Sequence, residues 1–182
     1  GVFTGRGATG AVMSWCQLID RSPWLDLTIL SPTLAQKSAT FDSLDAVVFP
    51  GGPAGTQYSS LGASGRTNVK NFVRNGGCYY GTCAGFHLVL SDMLDMSGYR
   101  YLCSADRHER VNVRLTDDCK AALGLTQEVW GLGYSAGPLS TAGTAVEGAN
   151  LTVWGRYETD IIGPNDVQMN GKPAVLAGSY FD

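Results

Sequence analysis

Residues 79–90 read YYGTCAGFHLVL, with Cys83 between Gly81 and Gly85 in the spacing Gly-x-Cys-x-Gly. Aromatic residues precede the cysteine and an apolar run follows it. Two readings meet this pattern. In the first, a strand turns sharply into a helix and lifts Cys83 to the top of a sheet. The flanking glycines are then required, because a Cβ at either position would clash in the strained turn. The sulfur would also lie near a helix N-terminus, where partial positive charge favours thiolate over thiol. In the second, Cys83 is a small buried residue of a glycine-rich turn, since reduced cysteine is among the most buried residue types.

The segment upstream bears on the choice. Asp45-Ala46-Val47-Val48-Phe49 reads as a strand stopped by Pro50-Gly51-Gly52-Pro53, which cannot continue a ladder. Two glycines at a strand end leave backbone N–H groups uncovered, as an oxyanion site beside an attacking thiolate requires. Gly52 is one candidate donor. Ala84, the residue after the cysteine, is the other.

Further out, residues 2–4 read as the end of a strand and residues 5–10 as a glycine turn. Ala11, Val12, Trp15, Cys16, Leu18 and Ile19 recur at helical spacing, and the helix is expected to stop near Ser22-Pro23. Residues 27–30 form a short strand candidate. Residues 58–65 are small and polar, as in a surface loop. Val69, Phe72 and Val73 place a helix over 66–75, with Gly76-Gly77 as its stop. A strand over 78–81 and a helix over 84–93 complete an alternation typical of a parallel sheet. The second half is less regular: strands are expected over 111–115, 151–158 and 174–180, with a loop-like stretch over 131–148.

The segments Ala46-Val47-Val48-Phe49-Pro50-Gly51-Gly52 and Asn71-Phe72-Val73-Arg74-Asn75-Gly76-Gly77-Cys78-Tyr79-Tyr80-Gly81-Thr82-Cys83-Ala84-Gly85 resemble the class I glutamine amidotransferase-like superfamily, and within it the biotin-protein ligase N-terminal domain type. The late segments 151–157 and 172–177 are similar to that family's last two strands. The resemblance implies an α/β fold, a flavodoxin-like three-layer sandwich with a mostly parallel central sheet and a nucleophile elbow. It implies attack by Cys83 on an amide or related acyl carbon through a thioester, so that the expected partner is a small-molecule or peptide amide. Active amidotransferases of this class carry His-x-Glu after the last strands, whereas no histidine follows His108 here. Either that pair lies beyond this sequence, or the base comes from elsewhere, or the site does not run glutaminase chemistry. In the last case the chain is a non-catalytic binding or regulatory module that retains the turn.

His108, in Asp106-Arg107-His108-Glu109-Arg110, occupies the region where related cysteine hydrolases place a histidine, and it is the candidate base. His87, one turn beyond Cys83, reads by default as a satisfied helix histidine pointed partly away from the turn. Gly5-Arg6-Gly7-Ala8-Thr9-Gly10 matches the dinucleotide pattern G-x-G-x-x-G. The acid such a site needs at the end of the next strand is missing, because Asp26 precedes that strand. No cofactor is expected. Tyr79 and Tyr80 read as core, and Asp42, Asp45, Asp117 and Asp118 as solvated turns rather than metal ligands, having no histidine or cysteine at ligand spacing.

With 182 residues and 44% hydrophobic content, the chain is long enough for one well-buried core and is expected to be a single domain. A formal net charge of -3 with 16% charged residues argues against a phosphate-binding face, so nucleic acid is not an expected partner. No apolar run reaches the roughly 18–20 residues needed to span a bilayer. Five cysteines allow two disulfides among Cys16, Cys78, Cys103 and Cys119, in any of three pairings, if the compartment is oxidising. Together with the sequon Asn150-Leu151-Thr152 they favour a secreted protein.

Overall fold

A computed structural model describes residues 1–9, 11–104, 108–161 and 168–180. The chain divides into two compact units, Gly1–Met96 and Ser97–Asp182.

In the first unit, β1 (Val2–Phe3), α1 (Ala11–Asp20), β2 (Ile29–Leu30), α2 (Pro32–Ala35), a 3-10 turn over Ser38–Ser43, β3 (Ala46–Phe49), α3 (Ala54–Arg74), β4 (Cys78–Gly81) and α4 (Ala84–Leu88) follow in order. The strands pair in the order β2-β1-β3-β4, each pair parallel, with Val2 opposite both Ile29 and Val48, and Phe49 opposite Gly81. Val47, Val48 and Phe49 are buried without alternation, as a strand covered on both faces requires. An aromatic column crosses β1, β3 and β4: Phe3 stacks on Phe49 at 5.0 Å and Phe49 on Tyr79 at 5.3 Å. The order reverses between β1 and β3, where α/β sheets open a crevice at their carboxyl ends.

Two expectations about helices are corrected. Residues 58–65 are not a surface loop but part of α3, which bends at Gly62, where φ is 66° and ψ 174°. Gln57, Leu61 and Gly65 bury a helical face that the small residues between them obscure in the sequence. The helix after Cys83 ends at Leu88 instead of continuing to Met93. The Leu88, Val89 and Leu90 carbonyls accept from Leu94, Met96 and Asp95 at 2.9–3.0 Å. The buried Leu90, Leu94 and Met96 thus pack from a turn rather than from a longer helix.

The second unit holds β5 (Tyr99–Ser104), β6 (His108–Leu115), α5 (Asp117–Leu123), β7 (Val129–Ser135), β8 (Pro138–Ala142), β9 (Ala149–Tyr157) and β10 (Pro173–Tyr180). Its strands form a four-stranded sheet in the order β10-β9-β6-β7 and a β5-β8 pair, all antiparallel. Val111, Tyr134, Leu139, Ile161 and Met169 make its core. The stretch 131–148, expected to be loop, carries most of β7 and all of β8. Gly131 and Gly133 break the apolar alternation of β7, and a Cβ at Gly131 would lie 3.4 Å from the Arg110 guanidinium across the ladder. Asp117 and Asp118 open α5, whose N-terminus Thr116 caps through its side chain. The two late strands read from the sequence pair as β9 and β10, and Asn150 is exposed on β9. None of the five cysteines is in a disulfide, so the structure does not support the pairings that the cysteine count allows. The observed class is thus α/β, with one four-stranded parallel sheet plus antiparallel sheets.

Candidate active site

The carboxyl ends of β1, β3 and β4 carry the loops that the sequence singled out. At the end of β4, Cys83 adopts φ 53° and ψ -108° and stands immediately before α4. A non-glycine residue at such φ is strained, and strain of this kind collects at functional turns. The surrounding packing enforces it. A Cβ on Gly85 would stand 2.0 Å from Phe49 O, and one on Gly81 2.5 Å from Gly85 O. Both glycines of the motif are therefore required by backbone atoms, as the turn geometry demands. Hydrogen bonds complete the turn: Thr82 N–H donates to Phe49 O at 3.1 Å, Gly85 N–H to Thr82 O at 2.9 Å, and His87 N–H to Cys83 O at 3.0 Å.

Tyr79 braces the same turn from beneath. Its hydroxyl donates to Gly85 O at 2.7 Å, and burial holds the phenol well above its usual range. The sign of the pH effect follows. Above about pH 10 the unfolded chain releases this proton while the folded chain keeps it, so stability falls as pH rises through that window. Tyr79→Phe is expected to flatten the alkaline limb of the stability curve by up to about 1.4 kcal/mol per pH unit. Urea midpoints of the two proteins between pH 9 and 11 check this; parallel curves would remove Tyr79 from the account.

The loop after β3 faces Cys83. A Cβ built on Gly51 would come 3.4 Å from Cys83 Cβ and 3.8 Å from its Sγ. Gly52 has φ 136°, and a Cβ there would meet Gly7 O at 2.0 Å. Ala84 is the first residue of α4 and is buried, so its N–H has no acceptor within the helix.

The glycines of residues 5–9 are taken up by packing. A Cβ on Gly5 would strike the Phe3 ring and Ser60 Oγ, and Gly7, at φ 90°, lies against Pro53 O and the Gln57 backbone. Gly10, the last glycine of that pattern, lies outside the described residues. Gln57 is fully buried, and its Nε2 donates to Pro50 O at 2.8 Å and Gly7 O at 3.1 Å, tying the loops after β1 and β3 together. The sequence reading missed Gln57 and Thr9. A glutamine one turn into the helix after Pro-Gly-Gly-Pro is the signal that was available.

The histidines have different surroundings. His87 Nε2 is held by Asp92 Oδ2 at 2.7 Å, which suits a satisfied helix histidine. His108 opens β6 of the second unit, exposed and opposite Ser135. Its neighbours Asp106 and Arg107 lie outside the described residues. Among the described residues no group of three or more His, Cys, Asp or Glu side chains is set to hold a metal ion, and no helix is long and apolar enough to cross a membrane. A cavity of about 610 Å³ lies at the amino ends of β3 and β4, lined in part by Asp45, Asn71, Asn75 and Cys78. It is at the opposite end of these strands from Cys83 and takes no part in the site.

The family described as "Biotin-protein ligase, N terminal" matches residues 2–92. The crystal structure of a glutamine amidotransferase is similar at 16% identity and a TM-score of 0.58, over 86% of this chain and 80% of that one. The crystal structure of SMU.1228c is similar at 16% identity and a TM-score of 0.53, over 86% of this chain and 66% of that one. A search of the curated proteins finds no match.

Proposed function

The chain belongs to the biotin-protein ligase N-terminal family, and from that premise we propose that its first unit is a cysteine-dependent acyl-transfer site of the glutamine amidotransferase type. The observation that carries the proposal is the Cys83 turn, a strained backbone at φ 53° whose two flanking glycines admit no side chain. Such strain has a use when a side chain must be presented at a sheet edge.

In the proposed reaction the Cys83 sulfur attacks the carbonyl carbon of an amide. A C–S bond forms and the C=O π pair moves onto oxygen. The Gly52 and Ala84 N–H groups donate to that oxyanion. The tetrahedral species then expels the amine, which leaves with a proton, and the resulting thioester is hydrolysed by water, regenerating the thiol. The amine takes up the proton that the thiol gives up, and the hydrolysing water returns one to the sulfur. The test is ammonia release from glutamine and small primary amides by the wild-type protein and by Cys83→Ala. Release that disappears in the variant is expected, at a loss of 10³-fold or more, on the order of that seen when a nucleophile is removed. Equal release by both proteins would sink the reading.

The second reading is a non-catalytic binding module that retains the Cys83 turn. It predicts no ammonia from any amide, together with saturable binding of an amide that Cys83→Ala leaves intact.

The finer fold expectation, a flavodoxin-like three-layer sandwich, belongs to the same proposal. The chain moves one way across the sheet from β1 to β2 and the other way from β3 to β4. Right-handed crossovers then call for α1 and α3 on opposite faces. An experimental structure with both helices on one face would overturn this.

A further inference from the structure

The loop after β1 has no part in the chemistry above, yet it is bonded to the loop that supplies one oxyanion donor. Thr9 makes two hydrogen bonds to a single atom: its N–H donates to Gly51 O at 3.2 Å, and its Oγ1 donates to the same oxygen at 3.3 Å. The peptide joining Gly51 to Gly52 is trans and planar, so its C=O and N–H point in opposite directions. In the sheet, β3 lies between β1 and β4. This peptide therefore lies between the Thr9 loop on one side and the Cys83 turn on the other. A carbonyl drawn toward Thr9 turns the Gly52 N–H toward Cys83.

We infer that Thr9 is a positioning residue, a lock on the Gly51–Gly52 peptide that keeps the oxyanion donor aimed at the reacting carbon. This rests on the acyl-transfer reading. Glycines flank the peptide on both sides, so nothing in their own conformational preferences resists a half-turn of its plane. A half-turn would break both bonds to Thr9 and present the Gly51 carbonyl oxygen to the site, where it would repel the developing oxyanion. The glycines that give access to the site thus cannot hold the donor in place, and Thr9 does so from the neighbouring loop. Gln57 keeps the lock in register, since its one amide holds both Gly7 O and Pro50 O. The glycine motif after β1, which has the spacing of a dinucleotide cradle, serves here to bring Thr9 onto Gly51.

Two probes separate this role from a general structural one. p-Nitrophenyl acetate acylates a thiol through a tetrahedral oxyanion, with a C–S bond formed and p-nitrophenolate expelled. Iodoacetamide alkylates by displacement of iodide, without an oxyanion. Both rates are read at Cys83 by peptide mass in the whole chain, with circular dichroism to confirm folding. Thr9→Val removes the Oγ1 donor at nearly constant volume and leaves the backbone bond. It is expected to slow acylation about tenfold, a fraction of the loss that follows removal of a whole oxyanion donor, with alkylation changed less than twofold. Thr9→Ser is expected to restore acylation. Wild-type acylation that Thr9→Val leaves unchanged, or slowing of both probes alike, would overturn the lock alone. A wild-type protein that alkylates at Cys83 and never acylates there would overturn the acyl-transfer reading and the lock with it.

Discussion

Gly85→Ala is expected to leave little folded protein. The added Cβ would stand 2.0 Å from Phe49 O and 2.8 Å from Phe49 C, both backbone atoms of a buried central strand. No rotamer relieves the contact, because a Cβ has none. Either β3 moves, which disturbs the Phe3–Phe49–Tyr79 column, or the turn opens and the hydrogen bond from Tyr79 to Gly85 O is lost. Overpacking ordinarily costs roughly 1–3 kcal/mol. A clash with two fixed backbone atoms belongs in the diagnostic range above about 4 kcal/mol, a large part of the stability of a small domain near the lower end of about 5–15 kcal/mol. Gly55→Ala is the control. Gly55 is exposed in the first turn of α3 with nothing within 4 Å of an added Cβ, so that change is expected to stabilise by about 0.4–1 kcal/mol. Urea denaturation of both variants checks the pair. Equal effects would mean that the packing around Cys83 is looser than the account requires.

Gln57→Glu tests the clamp behind the same site. Both neighbours of the Gln57 amide nitrogen are carbonyl oxygens, so the substitution sets a carboxylate against two acceptors in a fully buried position. Gln57 Oε1 already has no hydrogen-bond partner, so the site holds no spare donor among the described residues. Stranding an uncompensated charge in such a place costs on the order of 3–5 kcal/mol. The loss should depend on pH with a definite sign. Burial and the facing oxygens favour the protonated form, which raises the introduced group's pKa in the folded state above its unfolded value of about 4.3. The folded variant then binds the extra proton, and the deficit relative to wild type shrinks as pH falls toward 5 and is full at pH 8. Gln57→Leu, which strands the two carbonyls but adds no charge, should show a smaller deficit without that pH dependence. A Gln57→Glu protein as stable as wild type at pH 8 would mean that the two loops are not held through this side chain.

How much of this was legible in the sequence varies with the kind of signal. The Cys83 turn was legible because its constraint is local: Gly-x-Cys-x-Gly records, residue by residue, where a Cβ cannot fit. The parallel strands were legible because Val47-Val48-Phe49 is an uninterrupted apolar run between turn residues. Residues 58–65 were misread because Ser59, Ser60, Gly62, Ala63 and Ser64 hide the buried spacing of Gln57, Leu61 and Gly65, and a buried glutamine does not register as apolar. In the second unit, β7 was lost because Gly131 and Gly133 interrupt its apolar alternation, and its pairing with β6 leaves no local trace. The pairing of Thr9 with Gly51, and of Gln57 with Gly7 and Pro50, joins residues 7 to 50 positions apart. Spacing in the chain can single out Gln57 after Pro-Gly-Gly-Pro but does not show which loops it joins; the sheet order brings those loops together.

The central claim is that the fold presents Cys83 as a nucleophile beside an oxyanion site. The most direct measurement is the site of acylation when the protein meets a limiting amount of p-nitrophenyl acetate, located by peptide mass. Cys78 is the internal reference, because it is the exposed cysteine of the chain and Cys83 is only partly exposed. The account predicts that the acetyl group appears first and predominantly on Cys83, against the order of exposure, and that Cys83→Ala abolishes the fast phase. Acetylation that begins at Cys78 and reaches Cys83 only in proportion to its exposure would contradict it.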